Sequence, residues 1–270
     1  MRKLAFSLIF TLCIAAISFA QEASTIKKVP LAQTEIDRII KKVTANEGLF
    51  RSALADYNFS RKAIVQTIGM GGQITGEFRR DSEMIIPPTG TRFEKILFAP
   101  IPSLTEIQIT PEDLEDLGGV NPFALDPSAA SQYNFNYVGK DHIDELDLFV
   151  FDVSPKVIPD PKKSKLRLFN GRIWVDDKDL MIVKTKGKAV PEWKNNRFPV
   201  VETYRENIDG KYWFPTYVYA DDQLEFDSGL VVHIRMKVTY TNYKLAHSEV
   251  RILDDDEPAP KPSPTPKKPE

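Results

Sequence analysis

Three histidines, His142, His233 and His247, are the only imidazoles in the chain, and no two stand at a spacing such as HxxxH that would present a metal from one element. They read as surface histidines. Carboxylates come in adjacent pairs, Asp176 with Asp177 and Asp221 with Asp222, and glycosidases do work with two carboxylates across a cleft. Neighbouring residues in a strand, however, point to opposite faces, and otherwise such pairs sit in turns. Asp254, Asp255 and Asp256 lack the glycine and the spaced ligands of a calcium loop. No GxSxG, HExxH, SxxK, GxGxxG or phosphate-cradling loop occurs. The residue types therefore predict a non-catalytic protein that needs no cofactor and no metal. A hydrolase with a dispersed carboxylate site is the weakest alternative.

The N-terminus predicts export. Arg2 and Lys3 precede an apolar run from Leu4 to Ile17, and Ser18-Phe19-Ala20 ends in a small residue before Gln21. That run is shorter than the ~20 residues a membrane helix needs. Residues 1–20 are thus read as a cleavable signal peptide, although an uncleaved anchor begins in the same way. The single cysteine, Cys13, lies inside the run, with Leu12 where a lipidation signal would place a small residue. A processed chain would carry no cysteine, which excludes disulfides, thiolate ligands and a cysteine nucleophile together. The expected location is periplasmic or secreted. A formal net charge of −2 gives no electrostatic footprint for nucleic acid.

Any functional group must be positioned by what lies between residues 21 and 270. Residues 21–30 are polar and aperiodic, a flexible leader. Thr34 is a suitable helix N-cap, Asp37 favours a helix start, and Ile36, Ile39, Ile40 and Val43 fall on one helical face. The helix should reach the region from Phe50 to Leu54. From Tyr57 the period becomes two, and strands are predicted over 61–68, 73–86, 91–98, 133–138, 145–153, 166–175, 179–186, 198–207, 212–219 and 229–243. In the last of these Ile234, Met236, Val238 and Tyr240 alternate with His233, Arg235, Lys237 and Thr239, one face buried and the other wet.

Ala99 to Ser131 breaks the pattern with five prolines and two adjacent glycines, and a short helix should start at Thr110-Pro111. Residues 254–270, acidic and then rich in proline and lysine, cannot build a core and should form a disordered tail. The fold class expected for residues 31–253 is mainly β with helices (α+β): one strongly curved antiparallel sheet forming an unclosed barrel.

Aromatic residues supply the strongest hint of a site. Tyr212, Phe214 and Val218 alternate with Trp213, Tyr217 and Tyr219, so that strand is apolar on both faces, and Phe149, Phe151, Phe169 and Trp174 add to the content. Either a helix or barrel closure covers the second face, or the groups line a cavity for an acyl chain or similar ligand. On the second reading Phe149, Phe151, Trp174, Trp213, Tyr217 and Tyr219 are the candidate lining residues.

The hairpin Gly171-Arg172-Ile173-Trp174-Val175-Asp176 followed by Leu180-Met181-Ile182-Val183-Lys184 resembles an element of the outer-membrane lipoprotein-sorting proteins, the LolA-like carriers. Tyr212-Trp213-Phe214-Pro215 is similar to the strands that follow there, and Phe149 to Lys156 to the strand before. The match covers the C-terminal half. The resemblance implies a LolA-like half-barrel packed on an N-terminal helix and a helical insertion, holding lipoprotein acyl chains or lipid without cofactor or catalysis. Transient membrane association is a separate expectation. The alternative is an envelope module that reuses the fold and binds a protein partner through a sheet edge or the Pro-rich tail.

Overall fold

The computed structural model describes residues 26–87, 91–110, 113, 125, 127–164 and 166–246. The proposed signal peptide with Cys13, His247, the C-terminal tail and most of the short helix expected after Thr110 lie outside these residues.

Helix α1 spans Gln33–Leu54. Ile39, Val43, Glu47, Phe50 and Leu54 recur every three or four residues and make its buried stripe. The N-cap is Ala32, with no side-chain cap bond, so Thr34 lies within the first turn rather than capping it. The Ala32 carbonyl accepts from Glu35 and Ile36 instead.

Ten strands follow: β1 Tyr57–Ile68, β2 Ile74–Ile85, β3 Phe93–Phe98, β4 Tyr133–Ile143, β5 Leu146–Pro155, β6 Leu168–Asp176, β7 Ile182–Val190, β8 Val201–Ile208, β9 Tyr212–Glu225 and β10 Val231–Leu245. A single turn of helix, α2 Pro127–Ala130, precedes β4. All ten strands form one sheet in the order β3-β2-β1-β10-β9-β8-β7-β6-β5-β4, antiparallel throughout. β3 and β4 are its two edges, so the sheet is unclosed; the leader expected to be flexible is tied to the β4 edge where Lys27 exchanges backbone hydrogen bonds with Lys140 at 2.7 and 2.9 Å. The segment joining them leaves one edge and returns to the other, as the proline-rich stretch 99–132 must.

Apolar groups on the concave side fall into two clusters along α1. Ile39 and Val43 pack with Phe149, Phe151, Val153, Phe169 and Ile173 at the β4–β7 end. Phe50 and Leu54 pack with Phe59, Val65, Phe214, Val238 and Tyr240 at the other end. Between the two lies Glu47, fully buried, whose carboxylate accepts from both terminal nitrogens of Arg205 at 2.6 and 3.1 Å. Two lone charges here would be strongly destabilising; as a bidentate pair they satisfy one another.

Close packing explains the glycines of the β6–β7 hairpin. Gly171 and Gly187 face each other across the ladder. A Cβ on Gly187 would come within 2.5 Å of the Phe169 ring and 2.6 Å of the Asn170 carbonyl. Both positions must stay bare for Phe169 to lie flat across the sheet.

Candidate functional site

Where the concave face is not filled by side chains it encloses a cavity of about 850 Å³. Its walls are built by alternation. On β10, Ile234, Met236, Val238 and Tyr240 all point into it, while His233, Arg235 and Lys237 point away. Val65 of β1, Val218 and Leu224 of β9, Val201 and Thr203 of β8, and Thr185 and Ala189 of β7 complete the sheet side. Phe50 of α1 closes one end, with the Arg205 guanidinium 4.2 Å above its ring centre.

The open side is crossed by residues 106–110, of which Ile107 and Ile109 turn inward onto the Phe50 cluster. Two anchors hold this strap. The Ser103 N–H donates to the Glu77 carbonyl at 2.9 Å, and the Glu77 N–H donates to Ser103 Oγ at 2.9 Å. At the far end Thr110 and Asp113 exchange hydrogen bonds, and Arg167 pairs with Asp113 at 3.1 Å while lying over the Phe198 ring. Gly76 allows the close approach, since a Cβ there would stand 2.9 Å from the Ser103 carbonyl.

Charge inside the cavity is neutralised. Glu47 answers Arg205, and burial pushes the Tyr240 phenol well above its ordinary range, so it offers a neutral hydroxyl. No group of three or more histidine, cysteine or carboxylate side chains converges as a metal site among the described residues. Glu106, Asp113, Arg167, Lys188 and Arg197 also line the cavity, the last four in ion pairs, and mostly aliphatic walls with such paired charges suit an apolar ligand with a polar end.

None of the six aromatic residues singled out from sequence lines this cavity. Phe149 and Phe151 do face the concave side, but at the filled end, where Tyr137 packs on both rings. Trp174 and Trp213 point to the convex side. Trp174 Nε1 donates to Asp141 at 2.9 Å within a small core of Leu148, Val150 and Val183, and Trp213 Nε1 donates to Asp179 at 2.8 Å. Burial pushes the Asp179 carboxyl up, and the bond from Trp213 opposes that rise.

Tyr217 and Tyr219 are also convex and half-buried, their rings stacked 6.3 Å apart and nearly parallel. Lys184 lies over both Trp174 and Tyr204. The aromatic residues expected to line a cavity thus lie at the filled end or on the convex side. The cavity walls on β7 and β8 are small or β-branched residues and were not singled out. Glu47, a charge on the apolar stripe of α1, was the one signal for the buried pair.

No family model and no curated protein matches the chain. Among solved structures, a DUF1329 family protein from Desulfovibrio piger is similar over 79% of this chain and 95% of its own, with 14% identity and a TM-score of 0.35. MucB is similar over 73% of this chain and 93% of its own, with 15% identity and a TM-score of 0.24. At these scores the likeness carries nothing about ligand or partner, and the cavity has to be read from its own residues.

Proposed function

We propose that this protein is a non-catalytic carrier or binding protein for an apolar ligand, lipid or the acyl chains of a lipoprotein, working in the cell envelope after export. The observation that carries the reading is the apolar cavity of about 850 Å³ on the concave face. Water takes about 30 Å³ per molecule in the liquid and a methylene is of similar size, so on the order of thirty heavy atoms fit. That is enough for a long acyl chain with part of its head group. Each methylene leaving water contributes ~0.8 kcal/mol, against the cost of ordering the chain. The strap at 106–110, held at both ends rather than within a strand, is the segment that moves to admit a ligand.

Mass spectrometry of organic extracts from the protein purified from its own envelope tests this. A stoichiometric lipid or acylated peptide is expected, and it should be lost when Ala189→Phe and Val218→Phe fill the cavity. Clean extracts from a folded parent protein, together with no uptake of a fluorescent fatty acid, would overturn it.

A second reading, an envelope interaction module, is favoured by β3. This edge strand exposes Phe93, Ile96, Leu97 and Phe98 on both faces, and unpaired edges accept added strands. Binding of a protein partner that is lost on placing lysine at Ile96 and Phe98, with ligand uptake unchanged, would support it.

A further inference from the structure

Three connections surround the cavity opening. Leu166 in the β5–β6 loop, Trp193 in the β7–β8 loop and Leu230 in the β9–β10 turn all line the cavity yet are 51%, 37% and 45% exposed. They mark where the interior meets solvent. Val157 and Ile158 in the same β5–β6 loop, next to Lys156, and Val231 beside Leu230 are exposed as well.

Charge singles out the same two loops. Residues 156–167 carry Lys156, Lys162, Lys163, Lys165 and Arg167 against Asp160 alone. The end of β7 and the loop after it, residues 188–197, carry Lys188, Lys194 and Arg197 against Glu192 alone. The whole chain is acidic, with a formal net charge of −2, so the rest of the molecule is more negative still. Some of this charge is answered locally: Lys163 pairs with Asp160 at 3.9 Å, Lys188 with Glu192, Arg167 with Asp113 and Arg197 with Asp227. The surplus lies on the lysines. Lys194 Nζ sits 4.5 Å above the Trp193 ring, the arrangement of an indole at a polar–apolar boundary with an ammonium reaching past it.

We propose that this rim docks on an anionic lipid bilayer, with Ile158, Leu166, Trp193 and Leu230 entering the headgroup boundary and the lysines meeting lipid phosphates. This rests on the carrier reading, and it adds the surface from which the ligand is collected or to which it is returned. An exposed apolar rim continuous with an apolar cavity gives an acyl chain a path that never crosses water. A lysine surplus on that rim orients an otherwise acidic molecule on a negative surface. An acidic protein is the competing occupant. It would be recognised by the lysines but has no use for the exposed Val157, Ile158, Leu166 and Trp193 together.

Flotation of the protein, purified from its own envelope, with vesicles of phosphatidylcholine, with or without phosphatidylglycerol, tests the docking. Binding is expected only where phosphatidylglycerol is present and should fall with added salt. Basic residues near an anionic surface are each worth about fivefold in partitioning. Neutralising three of them in Lys162→Gln, Lys163→Gln and Lys194→Gln should therefore lower binding by about a hundredfold. Ile158→Asp should lower it with the charges intact. Neither change touches a cavity-lining residue, so uptake of a fluorescent fatty acid should be unchanged.

Equal binding to neutral and anionic vesicles would overturn the proposal, as would variants that float like the parent. So would rim variants that bind vesicles normally but lose binding to poly-glutamate, which would assign the rim to protein. Loss of fatty-acid uptake in the parent, with anionic docking intact, would instead remove the carrier reading and leave the docking surface standing.

Discussion

The two ends of one concave sheet face have opposite fates. At the β4–β7 end, Phe149, Phe151, Phe169 and Ile173 meet Ile39 and Val43 of α1 and leave no room. At the other end Phe214 and Tyr240 meet Phe50 and Leu54 of α1, but beyond these rings the inward positions are Val201, Thr203, Val218, Met236 and Val238, and a cavity of about 850 Å³ remains. Both ends obey the same two-residue period and the same helix crosses both. Side-chain size explains the difference: aromatic rings span the gap between sheet and helix, and β-branched groups do not. A filled end anchors the fold, which lets the other end stay open without collapse.

Glu47 and Arg205 mark the boundary, and breaking that pair should produce the largest effect. With Glu47 fully buried and the Arg205 side chain 7% exposed, Glu47→Ala leaves an uncompensated buried cation. The expected loss is about 3–5 kcal/mol, read as a lowered urea midpoint. Glu47→Leu with Arg205→Met should recover most of that loss and leave the cavity more apolar, raising fatty-acid uptake. If the double variant is as unstable as the single one, the pair fixes the position of α1 rather than merely satisfying its own charge.

Gly187 stands on the seam from the sheet side. It lines the cavity, and Phe169 of the filled end lies against it. Gly187→Ala should cost roughly 1–3 kcal/mol by overpacking. Phe169→Leu should relieve only the ring collision, because the Asn170 carbonyl 2.6 Å from the added Cβ is backbone and stays in place. A variant as stable as the parent would show that Phe169 can shift and that the division between the ends is softer than the distances imply.

These contrasts bear on how much of the molecule its sequence discloses. Ten strands and a leading helix were legible because period two and period 3.6 are local properties, and the inward set on β10 was read residue for residue. Periodicity names a face, however, and not a place along it. Phe149 and Phe151 were correctly inward, yet whether they meet α1 or a void depends on where the helix crosses, some hundred residues away in sequence. Trp174 and Trp213 carried weight because indoles are common at binding sites, but each satisfies its N–H on a convex-side carboxylate. Thr185, Thr203 and Ala189 look ordinary in sequence and become walls only because larger neighbours elsewhere hold the sheet apart. The start of α1 went to Thr34 on side-chain preference, whereas the backbone of Ala32 does the capping.

The smallest effect compares the buried charge of the concave side with its convex counterpart. Glu202 accepts from Lys186 at 2.7 Å, Lys184 at 3.0 Å and the Tyr204 hydroxyl at 2.8 Å. Partial burial alone would raise its pKa. The hydrogen bonds from Lys186, Tyr204 and Lys184 outweigh burial and lower the pKa from 4.5 to about 2. A carboxyl depressed in the folded state binds its proton more readily when unfolded, so its stabilisation is whole above the unfolded value near 4.5 and is lost as pH falls toward 2. Screening by nearby solvent holds the contribution to about 1 kcal/mol. Glu202→Gln should therefore be slightly less stable than the parent at neutral pH. The two urea midpoints should converge as the pH is lowered from about 5 to about 3. Curves that stay parallel through that range would mean the lysines serve the tyrosine rings beneath them more than the carboxylate, making the convex surface an aromatic platform rather than an ionic one.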